Sequence, residues 1–162
     1  MVLPRELMRA ALAERVPEVA DGSVQIVSAA REPGRWAKVA VDTHLRTLNP
    51  AGVCIGWAGL RVADVQRRLG GERISIIRFH PDPVRYVLDA LQLRCAQAEV
   101  TDAQARTIRV VVDPADYSRT LGKEGHNVRL SRELTGWNIQ VCTTGCGSSR
   151  HDHPRRPHRL AS

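Results

Sequence analysis

Aromatic side chains are scarce in this sequence of 162 residues, which holds 1 Phe, 2 Tyr and 3 Trp. Protein modules that stack nucleic-acid bases on sheet aromatics, such as RRM domains and many OB folds, contain more of them. The scarcity therefore disfavours both of these classes. Hydrophobic residues nevertheless make up 43% of the chain, which is enough for a folded core.

The sequence also lacks long apolar runs. No run approaches the ~18 residues that a membrane-spanning helix requires. The N-terminal stretch, residues 1–18, carries charges within its apolar part and lacks the core of a signal peptide. We therefore expect a cytoplasmic protein without a membrane partner.

Lysine is rare as well, since 2 Lys stand beside 22 Arg, and the formal net charge at pH 7 is +7. A basic chain that is poor in aromatics indicates a polyanionic partner. The excess of Arg over Lys has a second explanation, because a GC-rich genome encodes Arg where another genome encodes Lys. The net charge is thus the evidence for a nucleic-acid partner, and the choice of Arg is not.

The positive charge is unevenly distributed along the chain. Residues 1–80 hold 12 Lys and Arg against 8 Asp and Glu, whereas residues 81–142 hold 8 of each. Residues 143–162 hold 4 against 1, are rich in Gly, Ser and Pro, and show no hydrophobic periodicity. We predict that this last segment is a disordered basic tail, which either stays solvated or binds nucleic acid without sequence preference.

The 4 cysteines match neither a zinc motif nor a disulfide framework. Cys54 and Cys95 stand in apolar segments, so we expect small buried side chains there. Cys142 and Cys146 precede the histidines of the tail, but no second cysteine pair completes a metal site. We predict no bound metal and no cofactor, and the cytosolic character of the sequence disfavours disulfides.

Catalytic motifs are missing too. His44 and His80 lie in predicted loops, and no Ser or Cys nucleophile stands near them in a recognisable motif. Asp42 and Asp113 look like paired carboxylates, but each comes at the end of a predicted strand in a repeated segment. We therefore expect a protein that is not an enzyme, with no catalytic residues and no small-molecule substrate.

An internal repeat organises the chain. Residues 56–62 match residues 122–128 at an offset of 66, and residues 69–76 match residues 134–141 at an offset of 65. Upstream, the run from Lys38 to Asp42 is similar to the run from Arg109 to Asp113. A long period that occurs only twice indicates a duplicated small domain.

Hydrophobic periodicity and turn residues predict the order α-β-β-α-α-β in each copy. For the first copy they predict a helical stripe over 7–13 that Pro17 ends, strands over 24–28, 36–42 and 73–79, and helices after Asn49 and Gly59. For the second copy they predict helices after Asp82, Asp113 and Gly125, and strands over 95–100, 107–112 and 137–142. The fold class is therefore α+β.

A G-x-x-G sequence stands between the last two helices of each copy. Glycine has no Cβ, so the backbone there can come close to a ligand, and the helix that follows presents free N–H groups suited to phosphate. We expect apolar side chains beside the loops to line a groove for unstacked bases: Ile55, Val62, Val65 and Ile76 in the first copy, and Leu121, Val128 and Ile139 in the second. Alternatively, the glycines only let two helices meet at a tight corner.

These features resemble the KH module, whose G-x-x-G loop binds single-stranded nucleic acid, and the helix-first order is that of the prokaryotic type II variant. The chain resembles more closely the tandem KH region of the NusA family of bacterial transcription factors. The residues that carry the resemblance lie in the segments 16–22, 31–35, 49–56, 59–62, 69–74, 121–130 and 134–139.

The resemblance implies a first KH domain over 1–80, a second over 81–142 and the tail over 143–162. It implies binding of single-stranded RNA, the nascent transcript that leaves RNA polymerase, and a role in transcription elongation, termination and antitermination. The RNA-binding residues that it implies are Gly56, Trp57, Ala58, Gly59, Arg61, Gly122, Lys123, Glu124, Gly125, Asn127 and Arg129.

The sequence also departs from the family. The N-terminal polymerase-binding domain and the OB-type barrel are missing, which suggests a short stand-alone paralogue or a fragment. The first loop has Trp57-Ala58 where the family commonly has a basic residue, and Trp57 either stacks on a base or packs. Glu124 makes the second loop neutral, which weakens its attraction for phosphate. The alternative is a protein-interaction paralogue with weakened RNA loops that contacts RNA polymerase or another factor.

Overall fold

The computed structural model describes residues 2–94 and 96–144 and divides the chain into two compact units between Phe79 and His80. The predictions for Cys95, for Cys146 and for the tail from residue 145 onward lie outside the described residues. No helix in the part of the chain that the structure describes is long and apolar enough to span a membrane.

The first unit consists of four helices and a three-stranded sheet. Its strands occur in the order β1-β2-β3, with β1 antiparallel and β3 parallel to the central β2. The helices are α1 (Pro4–Ala13), α2 (Pro17–Ala20), α3 (Pro50–Ile55) and α4 (Leu60–Arg68), and the strands are β1 (Gln25–Glu32), β2 (Trp36–Asp42) and β3 (Arg73–Arg78).

The start of α3 shows how the sequence fixes a helix boundary. The Asn49 side chain accepts a hydrogen bond of 3.0 Å from the backbone N–H of Gly52, and Pro50 occupies the first helical position. Gly56, with a φ of 79°, ends the helix. The helix predicted from Asn49 to Gly56 is confirmed.

Two predictions for the first unit are wrong in part. Helix α1 ends at Ala13, before Pro17, and Pro17 instead begins the four-residue helix α2, because proline suits a first helical position. Strand β1 continues past residue 28 to Glu32, because it pairs with β2 as far as Glu32 opposite Trp36.

The second unit repeats this arrangement, and its described residues hold no counterpart of α2. Its strands occur in the order β4-β5-β6, again with one antiparallel and one parallel pairing. The helices are α5 (Pro83–Leu91), α6 (Pro114–Leu121) and α7 (His126–Thr135), and the strands are β4 (Gln97–Asp102), β5 (Thr107–Val112) and β6 (Asn138–Thr143). The predicted α+β class, with a three-stranded sheet packed on helices in each unit, is confirmed.

Strand β4 begins at Gln97, whereas its predicted start, residue 95, lies outside the described residues. Gln97 pairs with Val111, near the end of β5. Asp113 follows β5 and is the N-cap of α6, so the partner strand ends there. Only the pairing of two distant segments could reveal this limit.

Each unit has its own hydrophobic core. Met8, Leu12 and Val65 are buried in the first core, and Val128 and Ile139 are buried in the second. The expected base-binding groove is therefore wrong for Val65, Val128 and Ile139, whose exposed fractions are 0%, 4% and 0%. The hydrophobic pattern of helices and strands identified side chains that point inward, but these side chains belong to the cores.

A buried carboxylate fixes the corner between β1, β2 and β3. Glu72 is fully buried and accepts two hydrogen bonds from the Arg31 guanidinium, at 2.8 and 2.7 Å, and one of 3.0 Å from the Gly34 N–H. Hydrogen bonding to Glu72 raises the pKa of Arg31 above its usual value. In the second unit Arg106 fixes the matching corner instead, where it donates to the Gly136 carbonyl at 3.0 Å and lies 4.7 Å from the Trp137 ring centre.

Candidate nucleic-acid interface

The first loop, residues 56–59, joins α3 to α4, and the second loop, residues 122–125, joins α6 to α7. Their backbones are nearly the same. The φ and ψ angles are 79° and 170° at Gly56 against 78° and 170° at Gly122, and 72° and 15° at both Gly59 and Gly125. The side chains of the two loops therefore project from equivalent frames.

The first glycine of each loop is required by packing. A Cβ on Gly56 would lie 2.7 Å from Cγ of Arg61, and a Cβ on Gly122 would lie 2.8 Å from Cε1 of His126. Both glycines also have a positive φ that other residues rarely adopt. At these two positions the glycines serve the tight corner between helices.

The second glycine of each loop leaves open space. A Cβ on Gly59 would meet nothing within 4 Å, and one on Gly125 would meet only Nη1 of Arg129 at 3.9 Å. These glycines are the N-caps of α4 and α7, at the positive end of each helix dipole, and their own N–H groups donate to the carbonyls of Gly56 and Gly122 at 3.0 Å. The backbone of both loops is thus open to a ligand beside a helix N-terminus.

Arg61, which follows the first loop, is hydrogen-bonded to α2 and α3. Its Nη1 donates to the Val53 carbonyl at 2.9 Å and to Oε1 of Glu18 at 3.1 Å. The guanidinium of this predicted RNA-binding residue is therefore ion-paired within the first unit. Glu18, which was not predicted as a site residue, thus compensates the positive charge of Arg61.

Asn127 stands at the equivalent position of the second unit and acts without charge. Its Nδ2 donates to the carbonyls of Thr120 at 2.8 Å and Leu91 at 3.2 Å, so it ties α7 to the ends of α5 and α6. The ring Nδ1 of His126 lies 2.8 Å from the Lys123 carbonyl, which can only accept, so the ring donates. These bonds set the backbone of the second loop.

The four central side chains of the loops all face solvent. Trp57 is 85% exposed, and Ala58, Lys123 and Glu124 are exposed as well. Of the two roles predicted for Trp57, packing is excluded within the part of the chain that the structure describes. Arg129 also lies at the surface, and its Nη1 donates to the Glu124 carbonyl at 2.9 Å.

Leu60, directly after the first loop, is an exposed apolar residue that the sequence analysis missed. Its side chain is 59% exposed, and Ile55, before the loop, is 38% exposed. The inward positions Val62 and Val65 could have indicated that Leu60 lies on the outer face of α4, because neighbouring residues on a helix point in different directions.

A cleft of about 610 Å³ lies beside the second loop. Gly122 and Asn127 form part of its wall, together with carboxylates of Asp113 and Asp116. Arg119 pairs with Asp116 at 2.8 Å, so the cleft wall carries charges of both signs. This mixture makes the cleft a weaker site for phosphate than the open loop backbone.

The cysteines and carboxylates do not form a metal centre within residues 2–94 and 96–144, where no group of three or more metal-ligating side chains occurs. Cys54 and Cys142 are free and buried, as predicted for Cys54. Burial raises the pKa of the Cys54 thiol to about 12, which makes the thiolate unfavourable.

Comparison with known proteins gives one consistent result for both units. Residues 4–79 match the model of a NusA-like first KH domain, and residues 84–147 match that of a NusA-like second KH domain. Proteins called transcription termination/antitermination protein NusA, from Mycobacterium bovis and two strains of Mycobacterium tuberculosis, are 46% identical over 136 residues. The match covers 83% of this chain but only 39% of the length of these relatives.

A solved structure supports the fold. The crystal structure of APE1850 superimposes with a TM-score of 0.60 over 85% of this chain and 96% of that chain. The sequence identity is 19%, so the likeness concerns the fold alone.

Proposed function

Because the chain belongs to the NusA-like KH family, we propose that it binds single-stranded RNA through its two loops and acts in transcription elongation, termination and antitermination. The relatives are termination/antitermination proteins by name, and this chain corresponds to about two fifths of their length. The proposed ligand is the nascent transcript that leaves RNA polymerase. The proposal places the protein in the cytoplasm and gives it no catalytic residue and no cofactor.

The observation that carries the proposal is the open backbone at Gly59 and Gly125. At both positions a left-handed glycine precedes a helix, and no neighbouring atom covers it closely. A phosphate group can lie near the positive end of the helix dipole at such a point, and a sugar-phosphate chain can pass close to the backbone without meeting a Cβ. This contact does not depend on the base, as expected for a loop that grips a backbone.

The charges around the second loop favour a contact of moderate strength. Lys123 at the tip and Arg129 on the first turns of α7 are exposed cations, whereas Glu124 places a carboxylate between them in sequence. Phosphate binding displaces counterions in proportion to the cations engaged, so the affinity falls as salt rises. We expect micromolar or tighter binding at low salt and a clear loss at high salt.

Gly125 offers the sharpest test of the loop. In the full chain, Gly125→Asp introduces a carboxylate where phosphate is expected, and Gly125→Asn introduces a neutral side chain of the same size. Asp and Asn both tolerate the left-handed conformation better than most residues, so the two variants share their backbone strain. We expect the Asp variant to bind a fluorescently labelled single-stranded RNA about 10-fold more weakly than the Asn variant. The Asp carboxylate repels the phosphate, whereas the Asn amide is neutral, and the difference corresponds to about one charge-assisted hydrogen bond.

Equal affinities of Gly125→Asp and wild-type protein would show that the second loop is not the site. Equal losses in the Asp and Asn variants would show that bulk, and not phosphate charge, limits binding. Gly122 is unsuitable for this purpose, because any side chain there would collide with His126. Far-ultraviolet circular dichroism of each variant checks that the fold is kept.

The alternative function, a protein-interaction module, is favoured by the exposed apolar residues Trp57 and Leu60. It predicts that purified RNA polymerase binds the chain equally well with and without RNA. The RNA-binding proposal predicts instead that RNA alone binds the chain. Titration of the chain with each component separately distinguishes the two.

A further inference from the structure

Trp57 is the most exposed large apolar side chain of the described residues. Its exposed fraction is 85%, and the neighbouring Leu60 and Ile55 are 59% and 38% exposed. Water contact with this much indole surface is unfavourable, and a ligand that covers it gains the corresponding free energy. A patch of this kind at a loop tip therefore indicates a ligand.

The first loop cannot use the charge that the second loop offers. Trp57 stands where the second loop has Lys123, at the same offset of 66 that relates the two copies. Arg61, the cation that is closest to this loop in sequence, already pairs with Glu18 at 3.1 Å. The first loop thus has the backbone conformation of the second loop but no cation at its tip.

We infer that the first loop holds an unstacked nucleobase against the Trp57 indole, whereas the second loop holds phosphate through Lys123. The inference rests on the proposed RNA-binding function and specifies its chemistry at each loop. Leu60 and Ile55, which follow and precede the first loop in sequence, are exposed apolar residues as well. Gly59 leaves the adjacent backbone open, so the sugar-phosphate of the stacked nucleotide can lie against it.

A base fits this patch better than a protein does. The patch consists of one indole and two aliphatic side chains, whereas a stable protein interface needs roughly 800 Å² on each partner. A single base offers a flat apolar face of about the size of an indole, and every base has such a face. The loop backbone next to it matches that of the loop that carries Lys123.

The two modes differ in their response to salt. Stacking engages no cation, so a Trp57 variant should lower the affinity and keep the slope of log K against log salt. Removal of one phosphate contact from a single strand should flatten that slope by about 0.7. The slope therefore separates a stacking residue from a phosphate-binding one.

The test uses the full chain, a short single-stranded RNA, and the same strand with abasic nucleotides. We expect Trp57→Leu to weaken RNA binding about 10-fold with an unchanged salt slope, and Trp57→Phe to retain most of the affinity. Lys123→Gln should flatten the slope. The abasic strand should bind wild-type protein and Trp57→Leu equally, because it offers no base to stack.

A spectroscopic measurement reports the contact directly. Trp36 and Trp137 are the other tryptophans of the chain, and replacing both with Phe leaves Trp57 as the single indole. RNA should quench the emission of Trp57, and the abasic strand should leave it nearly unchanged. Emission that changes with purified RNA polymerase but not with RNA would overturn the inference in favour of a protein partner.

The outcomes separate the inference from the proposed function. If Trp57→Leu binds RNA like wild-type protein while Gly125→Asp does not, the stacking inference is wrong and RNA binding stands. If neither the wild-type chain nor any variant binds RNA, the proposed function itself is wrong. If Trp57→Leu weakens binding of the abasic strand as much as that of the complete strand, Trp57 does not act by stacking.

Discussion

Ala58 and Glu124 hold the third position of their loops in the left-handed region, with φ of 52° and 58°. This conformation is unfavourable by roughly 1 kcal/mol for a residue with a Cβ. Flanking glycines allow the turn on both sides, and the following helices maintain it. The surrounding structure therefore holds the tip of each loop in one conformation before a ligand arrives, which reduces the entropy lost on binding.

Lys38 is a charged residue in an apolar setting, at the middle of β2 with 3% of its surface exposed. Burial lowers the pKa of its ammonium group to about 8. The unfolded chain therefore binds the proton more tightly than the folded chain does. Its effect on stability is unfavourable at low pH and disappears as the pH rises from about 8 to 10.5, the usual pKa of a lysine.

We predict that the free energy of unfolding increases by about 1 kcal/mol between pH 8 and pH 9 through Lys38. The window ends there because the Cys54 thiol, whose pKa burial raises to about 12, acts in the opposite direction above 9.0, its usual pKa. Urea unfolding at several pH values measures the increase. It should vanish in Lys38→Met and persist in Lys123→Met, whose lysine is exposed. Persistence in Lys38→Met would assign the increase to another group.

Among the elements, the corner before the last strand is stabilised by different side chains in the two units. The first corner depends on the buried ion pair of Glu72 with Arg31, and the second on Arg106 beside Trp137. Removing one partner of a buried pair leaves the other charge without compensation. Replacing both partners by apolar residues of similar size avoids that penalty.

We therefore predict that Glu72→Gln destabilises the first unit by about 3 kcal/mol, because Arg31 stays charged at a largely buried position. Hydrogen exchange should show lost protection at Gly34 N–H, which donates to Glu72 at 3.0 Å. The double variant Arg31→Met with Glu72→Met should recover much of the stability. A double variant as unstable as the single one would show that the corner needs the hydrogen bonds more than charge balance.

The sequence predicts those elements whose limits are set by neighbouring residues. The bounds of β2 follow from a hydrophobic run after a turn, and the start of α3 follows from Asn49-Pro50; the structure has both. The limits of β1 and β4 depend on partner strands, which periodicity within one segment does not reveal.

The candidate site shows the same division. The paired glycines and their place between helices were evident from the repeat, since a loop and its following helix are local features. The sequence does not reveal whether the predicted groove residues line a groove, because inward spacing on a helix does not distinguish a core from a surface groove. Val65 belongs to the core. The exposure of Trp57 depends on the absence of a neighbour, which only the folded arrangement of the described residues decides.

For the whole molecule, the uneven distribution of charge means that the loops and the C-terminal segment contribute differently to the attraction for RNA. Residues 81–142 are neutral in sum, although they contain the loop with Lys123. Residues 145–162 carry 4 Arg and 1 Asp. Attraction between this segment and RNA would be independent of loop geometry and would weaken with salt.

We predict that removing residues 145–162 flattens the salt dependence of RNA binding but preserves the difference between Gly125→Asp and Gly125→Asn. Titrations at several salt concentrations, with and without the segment, measure both effects. The expectation follows because electrostatic attraction adds to the loop contact and does not replace it. If truncation abolishes binding and the loop variants no longer differ, the terminal charge carries the affinity.

The matching backbone of the two loops bears on how duplicated domains diverge. The residues that hold the frame, Gly56 with Arg61 and Gly122 with Asn127, lie outside the two central positions of each loop. The central pairs, Trp57-Ala58 and Lys123-Glu124, point to solvent and can change without repacking a core. After a duplication, one copy can thus acquire a different ligand preference through two substitutions while its sister copy retains the ancestral one.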